Sequence, residues 1–326
     1  CCAASPMPPT RRPLNSSSIC KSRPSQPGNS IFARHIHWVA AAARAIVLVL
    51  KDEEAARRRT RIQSMESDME TGPQDSPAQR MFGPQASAYS VSAVHVRDAS
   101  LEAMQRLASQ GRYGWAVDVG TGAGFTAFAM ADYSHRVLAT DPTLPMLLQA
   151  RRLGQERRLA NLALSQSVAE ALPLASESVD LVTSRVAAHH FTDLAKALDE
   201  VRRVLKTGGA LVMADSIAPE DDGMARWMND VELRRDFSHV KNWKASELEA
   251  MLAARGMSIQ RREHARIQLQ FNSWVERTAT PAEDAASLRR DFQAAPASVK
   301  EAFQIQVGEG DISFSWPCLV LRAAKS

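Results

Sequence analysis

Nine residues, Val117-Asp118-Val119-Gly120-Thr121-Gly122-Ala123-Gly124-Phe125, restrict the fold more than any other stretch. An apolar strand, Trp115 to Val119, runs into three glycines and then into an apolar helical run, Phe125 to Ala131. Glycine tolerates the tight turn and leaves no Cβ between the backbone and a ligand lying on it. The first N–H groups of the helix have no partner inside it and face whatever sits there. Strand, glycine loop and helix in this order open a nucleotide-holding α/β domain.

Spacing narrows the cofactor. A dinucleotide fingerprint reads G-x-G-x-x-G/A. Here its last position is Phe125, and the third glycine comes one residue early, at Gly124. A bulky Phe where helix and strand must pack closely disfavours NAD and an oxidoreductase.

Downstream, strands alternate with helices. A second strand, Arg136 to Thr140, ends at Asp141, 21 residues after Gly120. A carboxylate at that tip is placed to accept hydrogen bonds from both hydroxyls of a ribose. Pro142, Thr143 and Pro145 open a helix there, so the acid also suits a helix N-terminus. With the glycine loop at this distance, the ligand role is favoured. A third strand lies near Leu162 to Val168 and a fourth at Ser178 to Ser184. Asp193 to Lys206 is an amphipathic helix with Leu194, Leu198, Val201 and Leu205 in one stripe, stopped by Gly208-Gly209. Ala210 to Ala214 is a fifth strand, ending at Asp215. Ser246-x-x-Glu249 reads as a capping box for a helix through Arg255, closed by Gly256. Two more strands, about Ser258–Gln270 and Ile312–Leu321, flank helical stretches from Pro281 and near Ala297–Gln304. A helix from Val96 to Ser109, with Leu101, Met104 and Leu107 on one face, precedes the first strand. The economical fold is α/β, a doubly wound sheet.

Several segments occur together at characteristic spacing: Val117–Gly124, Asp141, Ala169-Glu170-Ala171-Leu172-Pro173, His189-His190-Phe191-x-Asp193 and Val204-Leu205-Lys206-Thr207-Gly208-Gly209. In that order they resemble the class I S-adenosylmethionine (SAM) methyltransferases, most nearly the small-molecule branch that includes the ubiquinone/menaquinone-biosynthesis C-methyltransferases. The likeness spans roughly residues 80–326. The last hundred residues, with Arg235-Asp236-Phe237-Ser238-His239-Val240 and Trp274-Val275-Glu276-Arg277-Thr278, are closer to uncharacterised bacterial-type members.

The resemblance implies a Rossmann-like, seven-stranded sheet whose last strand is antiparallel, under an N-terminal helical flap. SAM lies across the C-terminal strand ends. Gly120, Thr121 and Gly122 then line its methionine part, Asp141 holds the ribose, and Pro142 and Met146 flank the adenine. Ala169 and Glu170 sit at the adenine edge. Arg185 faces the cofactor or the substrate, and Tyr89 on the flap closes over the site. Two positions depart from the family pattern. Ser167-Val168 replaces a Gly-Asp pair and removes a carboxylate near the adenine amino group, leaving adenine to backbone contacts. Thr207 replaces the usual Pro, which concerns only a turn.

SAM carries its own reactive sulfonium, so the protein's tasks are alignment and exclusion of water. His189, His190 and His239 are the candidate residues near a neutral pKa. His190 and His239 are taken as candidate bases and His189 as a substrate-side residue; a purely structural role fits His189-His190 as well. Arg234-Arg235 suits either a substrate anion or a solvated helix face. The stretch Ile217–Asn242 would cover the acceptor pocket. Its Met224, Trp227 and Met228 either line an apolar cavity or pack the cover. The expected reaction is methyl transfer to a small molecule; a SAM-fold scaffold without turnover is the alternative.

Charge bears on the partner. Of the 40 Lys/Arg and 36 Asp/Glu, residues 1–61 hold 11 and 3, so the basic surplus belongs to the N-terminal stretch and the rest is mildly acidic. A nucleic-acid partner would want a basic patch on the fold itself and is not expected. Cysteine occurs at 1, 2, 20 and 318, which makes neither a disulfide framework nor a metal set. Residues 1–30 are rich in Ser, Pro and Arg, without hydrophobic period, and disorder is expected. The run Ile36–Leu50 is broken by His37 and Arg44 and falls short of the about 20 residues of a membrane span. No acid occurs before Asp52, as in a mitochondrial transit peptide, so that destination stands beside a cytoplasmic one. The chain opens on Cys, and Met65 and Met69 are candidate starts. The expected division is an extension at 1–75 and a methyltransferase domain at 76–326, with core motifs at 115–215.

Overall fold

The computed structural model describes residues 75–89 and 98–326, together with the two-residue strand β1 (Val47–Leu48). Apart from β1, the segments expected to be disordered or targeting and the candidate starts lie outside the described residues. So does the side chain of Tyr89.

The chain then runs through α1 (Pro77–Tyr89), α2 (Ala99–Ala108), β2 (Tyr113–Val119), α3 (Phe125–Ala131), β3 (Ser134–Asp141), α4 (Leu144–Glu156), β4 (Leu162–Gln166) and β5 (Val179–Arg185). A 3₁₀ turn (Ala188–His190) leads to α5 (Leu194–Val204), β6 (Leu205–Ser216), α6 (Asp222–Arg235), α7 (Ala245–Ala253) and β7 (Met257–Gln270). After these come α8 (Phe271–Glu276), α9 (Ala282–Ala294), α10 (Ala297–Ala302), β8 (Gln306–Val307) and β9 (Ile312–Lys325).

Seven long strands lie in the order β4-β3-β2-β5-β6-β9-β7, with β1 beside β4 and β8 beside β9. β4, β3, β2, β5 and β6 are mutually parallel, and β9 runs antiparallel between β6 and β7. The seven-stranded sheet with an antiparallel last strand is as expected. The chain leaves β2 toward β3 and β4, then returns to its other side as β5. The C-terminal end of β2 is therefore the point where strand order reverses, which opens a crevice there.

Strand alternation feeds two cores. Val117 and Val119 join Leu194, Leu198 and Val201 of α5 and Leu248 and Leu252 of α7 on one side. Ala116 joins Met104 and Leu107 of α2, Phe128 of α3 and Leu147 of α4 on the other. Every one of these residues is buried, and burial of this kind stabilises by about 1.5–3 kcal/mol per large apolar side chain.

Two local readings need correction. Gly208-Gly209 does not stop α5, which ends at Val204; both glycines lie inside β6. There they make an irregularity: Val179 pairs Leu205, yet Leu181 pairs Ala210. Gly208 has φ +77, and a Cβ at Gly209 would meet the Lys206 carbonyl at 2.8 Å. The cap of α7 is also shifted. Lys244 N–H donates to Glu247 Oε2 at 3.1 Å, while Ser246 is held by Glu220 and Glu249 pairs with Arg262.

Candidate active site

The crevice at the end of β2 is the near half of a deep cavity. Its floor is the glycine loop. Gly120 takes φ +68, and a Cβ there would sit 2.6 Å from that of Ala187. Gly122 takes φ +53, and a Cβ there would meet nothing within 4 Å, so it faces open space in the cavity it lines. One glycine is required by crowding and the other keeps the cradle clear.

Buried carboxylates pin this loop. Asp118 accepts from Thr121 Oγ1 at 2.6 Å and Thr183 Oγ1 at 2.7 Å. Burial pushes its pKa up to about 6 against those hydrogen bonds. Asp141 accepts Gly122 N–H at 2.9 Å and Thr143 N–H at 2.8 Å, and burial raises its pKa too. It is thus at once the acid at a helix start and a wall of the cavity, so the two readings of this residue are compatible.

The flap helix closes the same half. Gln79 Nε2 and Gln166 Nε2 both donate to the Pro142 carbonyl, at 3.1 and 2.8 Å. Ala86 of α1 packs on Met146 of α4, with Phe82 beside them. Pro142, Met146, Ala169 and Glu170 all line the cavity, as do Thr121 and Arg185. Glu170 is partly engaged, accepting Asp193 N–H at 3.1 Å. Ser167 lines it as well, and its Oγ is buried without a hydrogen-bond partner.

Arg185 stands between the halves. Its Nη1 lies 3.1 Å from Asp98 Oδ1 and its Nε donates to Thr126 Oγ1 at 3.1 Å. Asp98 also caps α2 by accepting Leu101 N–H, so the guanidinium ties β5 to the helix before β2.

Past Arg185 the backbone bends sharply. Val186 adopts φ 51, a strained conformation for a β-branched residue. The bend turns Ala187 N–H and Ala188 N–H onto Asp215 Oδ2, at 3.2 and 2.6 Å. The other oxygen, Oδ1, lies 2.6 Å from His189 Nδ1. Burial works against protonation of His189, but the Asp215 charge and hydrogen bond outweigh it, and the pKa is raised. In turn, burial works against ionisation of Asp215, but the His189 charge and hydrogen bond outweigh it and hold the carboxyl below the usual carboxylate range. The sequence marks Asp215 only as the end of a strand. Nothing in the sequence signals that it would find His189, 26 residues earlier.

The three histidines diverge. His189 and His190 line the cavity, with ring centroids 4.2 Å apart. His190 Nδ1 donates to the Ser238 carbonyl at 3.1 Å, and Phe82 meets its ring edge-on at 4.9 Å. Burial and then the His189 charge lower its pKa to about 4, so at neutral pH it is uncharged. His239 does not reach the cavity wall. It is 5 % exposed and donates through Nε2 to Asn229 Oδ1 at 2.9 Å. Burial first, then the charges of His189 and His190, depress its pKa to about 2. A buried ring so hard to protonate is a poor base.

Trp227 is likewise away from the cavity. It stacks on Phe303 at 5.4 Å and packs near Phe292 and Trp316. Met228 is fully buried. Of the two open roles for this stretch, these residues pack the cover. The far wall instead uses Glu232 and Arg235 of α6, Ile267 and Leu269 of β7, and Trp274, Arg277 and Trp316. These come from distant parts of the chain, with no motif to join them. Among the described residues no helix is long and apolar enough to cross a membrane.

Comparison with known proteins agrees with this architecture. Residues 117–213 match the family model described as a methyltransferase domain. The uncharacterised methyltransferase YcgJ of Bacillus subtilis is 34% identical over 211 residues, covering 64% of this chain and 83% of that protein. Its crystal structure superimposes with a TM-score of 0.66 at 33% identity, over 69% of this chain and 97% of YcgJ. The ubiquinone/menaquinone C-methyltransferase UbiE of Rubrivivax gelatinosus is 36% identical, but over only 103 residues, 32% of this chain and 39% of its own. The likeness to YcgJ is the more extensive, as the carboxyl-terminal segments implied. The glycine loop at the reversal of strand order, the antiparallel penultimate strand of the sheet and this kinship lead to one assignment: the chain belongs to the class I SAM-dependent methyltransferases.

Proposed function

We propose that SAM occupies the near half of the cavity and that its methyl passes to a small-molecule acceptor in the far half, within a domain at residues 76–326. The observation that carries this is the Gly122–Asp141 pair: a loop position open to the cavity beside a buried carboxylate at the next strand end. An acid there has lone pairs for ribose hydroxyls even while it accepts two N–H groups. Gly120, Thr121 and Gly122 would hold the methionine part, and Pro142, Met146, Ala169 and Glu170 the adenine. The unpartnered Ser167 Oγ supplies a side-chain contact for adenine where the family's usual carboxylate is missing, so adenine need not rest on backbone alone. Bound SAM supplies an electrophilic methyl on a sulfonium.

The protein's part is to align, to exclude water and to move a proton. Asp215 holds His189 by Nδ1, which leaves Nε2 for a group in the cavity. That makes His189, rather than His190 or His239, the base for a hydroxyl or other acidic acceptor. Phe82 and Arg185 bound the space where the halves meet.

Calorimetry with S-adenosylhomocysteine tests the cofactor reading. Asp141→Ala and the milder Asp141→Asn should weaken binding about 10- to 100-fold, as expected for hydrogen bonds to a charged group. Unchanged affinity in variants that remain folded by circular dichroism would refute it. Labelled SAM incubated with the protein and a metabolite extract should give one or a few labelled small molecules. Label found only in macromolecules would refute the acceptor class.

A further inference from the structure

Building on that reading, we propose that Asp98 holds the ammonium of the amino-acid end of SAM, through a carboxylate oxygen that has no hydrogen-bond partner among the described residues.

Asp98 stands just before α2, where aspartate is a preferred cap. Capping and pairing occupy a single oxygen. Oδ1 accepts Leu101 N–H at 2.9 Å and Ser100 Oγ–H at 2.7 Å, and Arg185 Nη1 donates to it at 3.1 Å. The other oxygen is bare: Oδ2 is buried without a partner, on a side chain that lines the cavity. Leaving a charged acceptor buried and unmatched costs more than leaving a neutral one, so Oδ2 calls for a donor.

The surroundings decide which part of the ligand lies there. Arg185 ties Asp98 to the first turn of α3, donating through Nε to Thr126 Oγ1 at 3.1 Å. Ala123, Phe125 and Thr126 line the cavity directly after Gly120, Thr121 and Gly122, the positions assigned above to the methionine part. Pro142 and Met146, assigned to adenine, stand instead at the start of α4. Asp98 therefore belongs with the amino-acid end of the cofactor.

Charge decides the chemistry of that end. Arg185 already balances Asp98, and the two side chains are only 5 % and 13 % exposed. A simple cation placed beside such a pair would bring in a charge with nothing to answer it. An α-amino acid is a zwitterion: its ammonium donates to Oδ2, while its own carboxylate keeps the group neutral. An ammonium carries three donors and no acceptor, and its hydrogen bonds to a carboxylate are among the stronger ones. With this end pinned, the sulfonium cannot swing about the ribose, and the methyl keeps its aim at the far half.

Calorimetry with the full chain at neutral pH compares S-adenosylhomocysteine with its deamino analogue, in which hydrogen replaces the α-amino group. The wild type should prefer S-adenosylhomocysteine by at least about tenfold, the scale of one hydrogen bond between charged groups. Asp98→Asn keeps an oxygen for Leu101, Ser100 and Arg185 and puts an NH₂ in the place of Oδ2, where it would face the ammonium donor to donor. It should bring the preference below about threefold by weakening S-adenosylhomocysteine alone, the analogue binding within about threefold of its wild-type affinity. Asp98→Ser retains a side-chain cap for α2 and serves if Asp98→Asn does not fold. Equal wild-type affinities for the two ligands would overturn the proposal, as would a preference that survives substitution of Asp98. Equal weakening of both ligands would overturn it too, leaving Asp98 only the task of holding Arg185. Wild-type protein that binds neither ligand would instead refute the cofactor reading.

Discussion

Where β2 and β3 end, the cavity floor is a glycine loop: Gly120, Thr121 and Gly122, tied to the Asp141 carboxylate by a backbone N–H. Where β7 and β9 close the sheet, the wall is side chains: Trp274, Trp316, Arg235 and Arg277, drawn from α6, α8 and β9. Main chain can be shaped by a few glycines and a turn, and it fits the invariant part of a ligand. Side chains can be exchanged one at a time without refolding the sheet. Such a division suits an enzyme with one fixed donor and an acceptor that differs among relatives.

If that division is real, damage on the far side should change rate before it changes cofactor affinity. The largest effect is expected at His189. His189→Asn should lower kcat about 10²- to 10⁴-fold with the acceptor found by labelling, while S-adenosylhomocysteine affinity stays within about twofold. The proposed base would act unprotonated, and Asp215 raises the His189 pKa above 6.5. The wild-type rate should therefore climb with pH through a value above 6.5. In Asp215→Asn that limb should move to lower pH, with a reduced plateau. A pH profile unmoved by Asp215→Asn would remove the dyad from the chemistry.

A smaller effect tests whether the far side can be weakened by itself. Trp227 is half-buried and packs against Phe292, Phe303 and Trp316 without lining the cavity. Trp227→Ala should cost about 2–3 kcal/mol in urea denaturation, somewhat under the range for a fully buried aromatic. Cofactor affinity should be retained. An equal loss of both would mean that the two sides are one cooperative unit.

The same contrast explains what the sequence disclosed. The near half was legible because its parts are local: Gly120 and Gly122 are two residues apart, and Asp141 ends the very next strand. Periodicity placed β2, β3 and β5 within a residue or two, since alternate residues enter opposite cores. Gly208-Gly209 misled because a glycine pair stops a helix or forms a bulge equally well, and only the pairing of β6 with β5 decides. The far half was nearly silent. Trp227 and Trp274 look alike in sequence, yet one packs the cover and the other lines the cavity. His190 lines the cavity and His239 is buried away from it, and no spacing rule encodes that.

The smallest expected effect carries the sharpest sign, because the two sides titrate in opposite directions. His239, behind the far half, has its pKa depressed to about 2 by burial and by the other histidines. Between its unfolded value of 6.5 and that value, the unfolded chain binds a proton that the folded chain refuses. Its contribution is present above pH 6.5 and is lost as pH falls. Asp118, under the glycine loop, has its pKa raised to about 6 from 3.8, chiefly by burial. Across that window the folded chain keeps a proton that the unfolded chain has released, so stability falls as pH rises through it. Urea denaturation of the ligand-free protein at pH 6 and pH 4 separates the two, at up to about 1.4 kcal/mol per pH unit for each group. On acidification the wild type should lose about 1–3 kcal/mol relative to His239→Gln and gain about as much relative to Asp118→Asn. Shifts of the same sign in both comparisons would show that one shared environment, and not two separately built halves, sets the titration.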